Sequence, residues 1–499
     1  MKYIDYVQLN PFQKFGYNVA KFFKALPGNL KKIFLAIVGF FKKIFVGIGK
    51  GFAGYFSRFV KGDWATKCSY VVMGVGNASK GQIIKGFLFL LVEVAYILFM
   101  IFFGGHYLTK FPTLGTVSPT DENGRLVRGI IPDNSMLILL YGVLTIIVTV
   151  LFFVVYIANT KSAYKAQQTV AEGKKPIKFL EELKQFLDSK FHVTLLAFPT
   201  LTISIFTILP LIFMILIAFT NFDSNHNELA NLFTWVGFDT FKQVFETTGR
   251  ASMGATFIEL TEWTLVWAVF ATVLNYILGM VVALMINKKG IKLKALWRTL
   301  FVVTVAVPQF VSLLLMSQML NVNDGAINTL LCDVLHIIPQ HIDFLGGDPL
   351  VARITVIVVN CWVGIPYTIL ITSGILMNIP ADLYESATID GAGPVKSFFS
   401  ITLPYMLFVT TPYLITSFVG NINNFNVIYL LTSNLQNSND LYKAGHTDLL
   451  VTWLFKLTMN EHDYNLAAAI GILVFIVCAT ISLLTFNLTK SAKNEEEFS

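Results

Sequence analysis

Charge is scarce in this sequence. Only 13% of its 499 residues are Asp, Glu, Lys or Arg, and 55% are hydrophobic; a soluble domain averages about 25% charged residues. That deficit excludes an ordinary soluble domain and points to a polytopic membrane protein. Cysteine is scarcer still: Cys68, Cys332, Cys361 and Cys478 are scattered, with no C-x-x-C. Three of the four lie in or next to apolar sequence, so neither a metal site nor a disulfide framework is indicated. No G-x-x-x-x-G-K-[ST] occurs. The run Gly74-Val75-Gly76-Asn77-Ala78-Ser79-Lys80-Gly81 superficially suggests a phosphate loop but lacks that pattern and a suitable following helix, so it reads as a linker. No cleavable signal peptide is visible, because the first apolar run comes late and lysines follow it closely. The net charge of +7 does not require nucleic acid, since positive charge on a membrane protein marks its cytoplasmic side.

What is present begins with a basic, aromatic preface. Lysines at 14, 21, 24, 31, 32, 42, 43 and 50 alternate with many phenylalanines, and Asp5 is the only acid before Asp63. The apolar run 33–41 is far short of the ~20 residues needed to cross a bilayer. Helices lying in the lipid interface fit this pattern, with a partner-binding arm as the alternative. Eight apolar segments of near-spanning length follow, at about 86–103, 137–158, 194–219, 264–286, 299–319, 354–376, 405–431 and 466–488. Lysines crowd the loops after the second and fourth segments and recur in the C-terminal tail, which places both termini and those loops in the cytoplasm. Pro210, Pro308, Pro366 and Pro412 fall inside segments, where a bend is tolerated if it faces protein or a cavity. Glu93 is the clearest acid within a segment; it is read either as a proton relay or as a structural pair with a nearby lysine or hydroxyl.

Between the sixth and seventh segments, residues 381–404 read ADLYESATIDGAGPVKSFFSITLP. Asp382 is placed to cap a short helix with Leu383, Ala387 and Ile389 on its apolar side. Gly391, Gly393 and Pro394 break it, a second helix starts at Ser397, and Pro404 marks the next segment. The sequence Glu385-Ser386-Ala387, then Asp390-Gly391-Ala392, then Ile401-Thr402-Leu403-Pro404 resembles the EAA loop of ABC-importer permeases. In that family the loop docks into the ATP-hydrolysing subunit, which assigns coupling to Glu385, Ser386, Ala387, Asp390 and Gly391. Such a loop must be cytoplasmic, and the lysine distribution places it there independently.

Two polar strings interrupt apolar segments: Trp362-Val363-Gly364-Ile365-Pro366-Tyr367, and Ser417-Phe418-Val419-Gly420-Asn421-Ile422-Asn423-Asn424-Phe425. At helical spacing Ser417, Asn421 and Asn424 share a face. A Ser/Asn stripe beside aromatics suits a sugar, and it equally suits hydrogen bonding between helices. The strings resemble the larger membrane subunit of maltose/maltodextrin importers (MalF-like), as do Gly445-His446-Thr447-Asp448-Leu449-Leu450-Val451 and Asn465-Leu466-Ala467-Ala468-Ala469-Ile470. By that likeness Val363, Gly364, Tyr367, Ser417, Gly420, Asn421 and Asn424 fall at sugar-contacting positions. Gly420 departs from the enterobacterial pattern, which has an aromatic there. The 221–262 loop is too short for the large extra periplasmic domain of those members, which suits a Gram-positive bacterium.

The expected fold is all-α, with a basic amphipathic N-terminal region (1–84), two accessory transmembrane helices (85–192), a six-helix permease core (193–490) and a tail (491–499). The resemblance implies a permease subunit carrying maltodextrin-type or other oligosaccharides. It implies a second permease, two ATPase subunits and an external sugar-binding protein as partners, with ATP and Mg held by the ATPase. No catalytic or metal-binding residue and no cofactor is expected in this chain, and no nucleic-acid partner. The competing classes are a secondary transporter and a membrane-anchored assembly protein without transport. The first would want several intramembrane acids or histidines and an inverted repeat, where one acid, Glu93, and no obvious repeat are evident; the second would not need polar stripes at segment centres.

Overall fold

The computed structural model describes residues 45–488 apart from 119–128, 130, 227–231, 250, 289 and 434, with a few isolated residues before 45. Most of the preface before 45 and the tail 491–499 lie outside the described residues. The described part of the preface is helical from 45 to 61 and exposes Phe45, Phe52 and Phe56. Among the described residues regular structure is helical, and the β pairing is one isolated bridge between Thr220 and Trp235. Long apolar runs dictate this, because a helix satisfies every interior backbone group without water.

The chain divides into two compact units. Leu35–Thr240 and His462–Ala469 form one; Phe241–Glu461 and the chain from Ile470 onward belong to the other. The first unit holds helix α1 (Val75–Ser79) and three long apolar helices, α2 (Ile83–Lys110), α3 (Ser135–Ala171) and α4 (Phe191–Ile217). The segment 74–81 is therefore not a linker. Gly74 adopts φ +86° and gives its N–H to Asn159 Oδ1 at 2.9 Å, and Gly76 gives its own to Ser69 Oγ at 2.6 Å. A Cβ on Gly74 would lie 1.9 Å from the Gly86 carbonyl oxygen, so glycine there permits a close crossing rather than freedom. Glu93 accepts the Met73 N–H at 2.7 Å, so a backbone group is its hydrogen-bond partner among the described residues. Outside the apolar segments, Asp133 works against its own burial. Lys110 and the N–H groups of Thr116 and Val117 hold its carboxyl below the usual range.

The second unit contains α5 (Met253–Asn287), α6 (Lys294–Val305), α7 (Gln309–Met319), α8 (Pro349–Met377), α9 (Ala381–Ile389), α10 (Leu403–Ile422), α11 (Phe425–Thr432) and α12 (Leu450–Met459). The last helix, α13 (Tyr464–Leu488), begins in the first unit and continues into the second. Among the described residues seven helices are long and apolar enough to span, or eight, as expected, if one bent pair is a single span. The difference is the fifth segment. It breaks between α6 and α7 by 82°, with Pro308 as the residue capping α7. Proline supplies no N–H there and disfavours helix in the residue before it. The seventh segment also breaks, at Asn423 and Asn424 between α10 and α11. Pro366 and Pro412 instead stay inside continuous helices, and Pro210 follows a π-helical stretch, Ser204–Ile208.

Trp263, Trp267, Val356, Val427, Ile428 and Leu431 centre the core of this unit. Its tightest seam is α5 against α8. A Cβ on Gly279 would lie 2.6 Å from Thr368 Cβ and 3.2 Å from the Ile369 nitrogen. Gly279→Val is expected to cost about 1–3 kcal/mol by overpacking, read as a lower thermal midpoint of the detergent-purified chain. Gly374→Ala, where nothing lies within 4 Å of the added carbon, is the control and should shift it little.

Candidate functional site

Five helices converge on a cavity of about 820 Å³ in the second unit, inside the roughly 300–1,000 Å³ range of small-molecule sites. Its walls come from Thr272 and Asn275 on α5, Phe301 and Thr304 on α6, and Gln309 and Ser312 on α7. Asn360 and the run Trp362–Thr368 on α8 face them, and Tyr413, Thr416, Ser417, Gly420 and Asn421 on α10, with Asn424, close it. All seven sequence-predicted positions, Val363, Gly364, Tyr367, Ser417, Gly420, Asn421 and Asn424, therefore line one space. No lining residue is an acid, a lysine, an arginine or a histidine. The site thus offers hydroxyls, amides and aromatic faces, and no formal charge.

The asparagine stripe does two jobs at once. Asn421 donates from Nδ2 to Thr272 Oγ1 at 3.0 Å, and its carbonyl accepts from Trp267 Nε1 at 3.1 Å. Asn424 donates from Nδ2 to Asn421 Oδ1 at 3.2 Å, and its own Oδ1 caps α11 by accepting from Val427 N at 3.4 Å. Helix pairing and cavity lining were alternatives at the level of sequence; the same side chains do both. Asn424 also lies beyond the end of α10, at φ −77° and ψ 87°, so it shares the face with Asn421 through this hydrogen bond and not through helical spacing.

Sequence reasoning missed the two most informative groups. Asn360 is 4% exposed, and its buried Nδ2 has no hydrogen-bond partner among the described residues. Asn275 Oδ1 is likewise buried and unpartnered among them. A signal for Asn360 was available: it stands four residues before Gly364 and seven before Tyr367, on one helical face. Nothing marked Asn275. Its position follows from Gly364, where a Cβ would lie 2.3 Å from Asn275 Nδ2, so glycine lets this amide sit against α8. Gly420 differs, with open space around its Cβ direction. Trp362 and Tyr367 are each about half exposed, and Tyr367 approaches Tyr413 with ring centroids 6.4 Å apart.

The string 445–451 is a clamp. Asp448 is 2% exposed and accepts from Lys456 Nζ at 2.6 Å, Gly445 N at 2.6 Å and Thr452 Oγ1 at 2.9 Å. Trp263 Nε1 donates to the Thr447 carbonyl and Leu450 N to Thr264 Oγ1, tying the clamp to α5.

The 381–404 segment is a helical hairpin. Pro380, not Asp382, occupies the cap of α9, and Asp382 sits in the first turn, where its charge still favours the helix N-terminus. The second helical run starts at Pro394, three residues before the expected Ser397, because proline is accepted in a first helical turn. It passes through a π-helical stretch, Phe398–Thr402, directly into α10, so Pro404 lies within that run and begins nothing new. Gly391 takes φ +75° beyond Asp390, and Ala392 N donates to Ala387 O at 2.8 Å. Tyr384 OH lies 2.8 Å from Thr402 Oγ1 and closes the hairpin. Glu385 and Ser386 are exposed and Ala387 is half-buried; Glu385 has no ion pair among the described residues. The expected apolar side is largely uncovered among the described residues: Leu383 is 45% and Ile389 86% exposed, and Val395 in the following turn is 71% exposed.

The family described as the binding-protein-dependent transport system inner membrane component matches residues 275–493, which contain most of the cavity and the whole hairpin. The galactooligosaccharides transport system permease protein of Bacillus subtilis (strain 168) is 36% identical over 440 residues, 85% of this chain and 97% of that protein. The maltodextrin transport system permease protein of the same organism is 33% identical over 437 residues, 85% of this chain and 95% of that protein. A chain from the crystal structure of a bacterial alginate ABC transporter, in complex with an alginate pentasaccharide-bound periplasmic protein, shares the fold. It has a TM-score of 0.50 and 21% identity, covering 62% of this chain and 98% of that chain. On these matches, this chain belongs to the family of binding-protein-dependent transport system inner membrane components.

Proposed function

We propose that this chain is a permease subunit of an ATP-driven importer and passes neutral oligosaccharides of the maltodextrin class through the α5–α10 cavity. The carrying observation is a cavity of about 820 Å³ lined by hydroxyls, amides and aromatic faces, with no acid, lysine, arginine or histidine among its lining residues. Sugar hydroxyls both donate and accept, so the amide and hydroxyl side chains of this lining can pair with them. Trp362 and Tyr367 offer faces for the apolar side of a pyranose ring. An anionic sugar would enter such a site without a counter-charge, which disfavours it. The similarity to a galactooligosaccharide permease supports a second reading, in which the cargo is a galactose-based oligomer.

ATP and Mg belong, in this reading, to two separate ATPase subunits that dock on the hairpin bearing Glu385, Ser386, Ala387, Asp390 and Gly391. A second permease subunit completes the pathway, and an external binding protein delivers the sugar. The hairpin and the lysine-rich loops face the cytoplasm. Closure of the ATPases moves the hairpin as a rigid lever and changes which side the cavity faces.

Competitive uptake of maltose, longer maltodextrins and galactooligosaccharides, normalised to assembled complex, tests the substrate. Gly420→Phe adds a ring into open space and is expected to shift preference several-fold toward short maltodextrins. An unchanged length profile in this variant would defeat the sugar assignment for the cavity. Uptake of galactooligosaccharides alone would establish the second reading.

A further inference from the structure

The loop between α7 and α8 is knitted by one buried asparagine. Asn328 donates from Nδ2 to the Ile342 carbonyl at 2.8 Å and accepts from Ile342 N at 3.0 Å. This holds residues 341–342 beside the π-helical stretch Thr329–Val334. At the seam Cys332, Asp333 and His341 meet, with one thiol sulfur, one carboxylate oxygen and one ring nitrogen all within 4.8 Å of one another.

The histidine is oriented as a ligand. Its Nδ1 lies 2.8 Å from the Val322 carbonyl oxygen, which can only accept, so the hydrogen is on Nδ1. That leaves Nε2 directed at Asp333, 3.3 Å from both carboxylate oxygens. A bare lone pair facing a carboxylate is repulsive, so a positive charge belongs between them. It can be a proton on Nε2 or a metal ion. One N–H shared between the two oxygens accounts for equal distances of 3.3 Å. The same separation is also about the ligand–ligand edge of a tetrahedral site with bonds of roughly 2.0–2.1 Å. A backbone carbonyl on the remote ring nitrogen is also the usual support for a metal-bound imidazole. The Cys332 thiol hydrogen-bonds to Asp333, and as a thiolate the same sulfur is a strong donor to a borderline cation.

We infer that Cys332, Asp333 and His341 form a site for a divalent transition cation of the Zn²⁺ class. Mixed sulfur, nitrogen and oxygen donors exclude the all-oxygen shells that Ca²⁺ and Mg²⁺ require. Asp333 is 54% and His341 30% exposed, so an ion reaches the site from solvent and a fourth position is open to water. Binding releases the Cys332 proton to solvent. The ion would pin the middle of a loop whose first helix, α7, contributes Gln309 and Ser312 to the cavity wall. The inference stands on this loop alone and survives a different cargo.

The test uses the untagged full-length chain purified in detergent. After equilibrium dialysis against ZnCl₂, metal content by mass spectrometry is expected to be one ion per chain. Cys332→Ser and His341→Gln should each lower retention at least tenfold. Co²⁺ loaded into the unmutated chain should give a sulfur-to-metal charge-transfer band, which Cys332→Ser removes. The cobalt measurement keeps the proposal exposed even where a variant folds poorly. Equal Zn²⁺ retention by the unmutated chain and by the Cys332→Ser/His341→Gln double variant would overturn the site. So would cobalt binding without a thiolate band, since that assigns the charge between His341 and Asp333 to a proton.

Discussion

Glu385→Lys is expected to leave the chain inserted and folded while lowering sugar uptake at least a hundredfold. The side chain is exposed and makes no ion pair among the described residues, so reversing its charge removes nothing that holds α9 in place. What it removes is a carboxylate exposed in the middle of α9, in a hairpin whose Ile389 and Val395 are also uncovered. Uncovered apolar side chains interspersed with charged ones suit burial against another protein. Within such an interface a carboxylate facing a cation forms a charge-assisted pair, and losing one partner of a buried pair costs about 3–5 kcal/mol. Lysine adds repulsion to that loss. The measurement is uptake normalised to membrane-inserted chain, together with the amount of ATPase subunit co-purified. Normal uptake by Glu385→Lys would remove the coupling role from the hairpin.

The second large effect concerns Asn360. Replacing it by leucine is expected to reduce uptake about fivefold to a hundredfold, since a lost hydrogen bond to a buried polar group costs on the order of 1–3 kcal/mol. Assembly and thermal stability should hold or improve, because Asn360 Nδ2 donates to nothing among the described residues. Asn421→Ala behaves differently. It breaks the bond to Thr272 and strips Asn424 of its acceptor, so both transport and stability fall. The contrast between the two variants is the useful quantity, measured as uptake per assembled complex beside a melting curve. Equal losses of stability in both, with uptake per complex unchanged, would make the cavity asparagines purely structural.

The two predictions draw differently on sequence and structure. The hairpin around Glu385 was legible from its chain neighbours, since such a motif is local: spacing, a helix-breaking glycine and a proline all act within some twenty residues. The cavity strings were legible for a related reason, in that polar side chains are conspicuous in apolar segments. Asn275 was invisible because its significance depends on a close approach by another helix, at Gly364, 89 positions later. Thr272 and Gln309 were missed on the same ground. The scattered cysteines likewise gave no sign of which side chains would stand beside them. Cys332 and His341 come together only because Asn328 folds the loop between them.

Composition and apolar run length determined by themselves that this chain is helical and crosses a membrane several times, because lipid leaves unpaired backbone no alternative. The motif at 381–404 likewise carried the family. Tertiary structure decided where helices break, at Pro308 and at Asn423–Asn424, since a proline or asparagine breaks a helix only where neighbours take up the freed groups. It also decided that the asparagine stripe serves packing and lining together. Hydrogen-bond partners on other helices are set by crossing geometry, and no spacing within one segment encodes that.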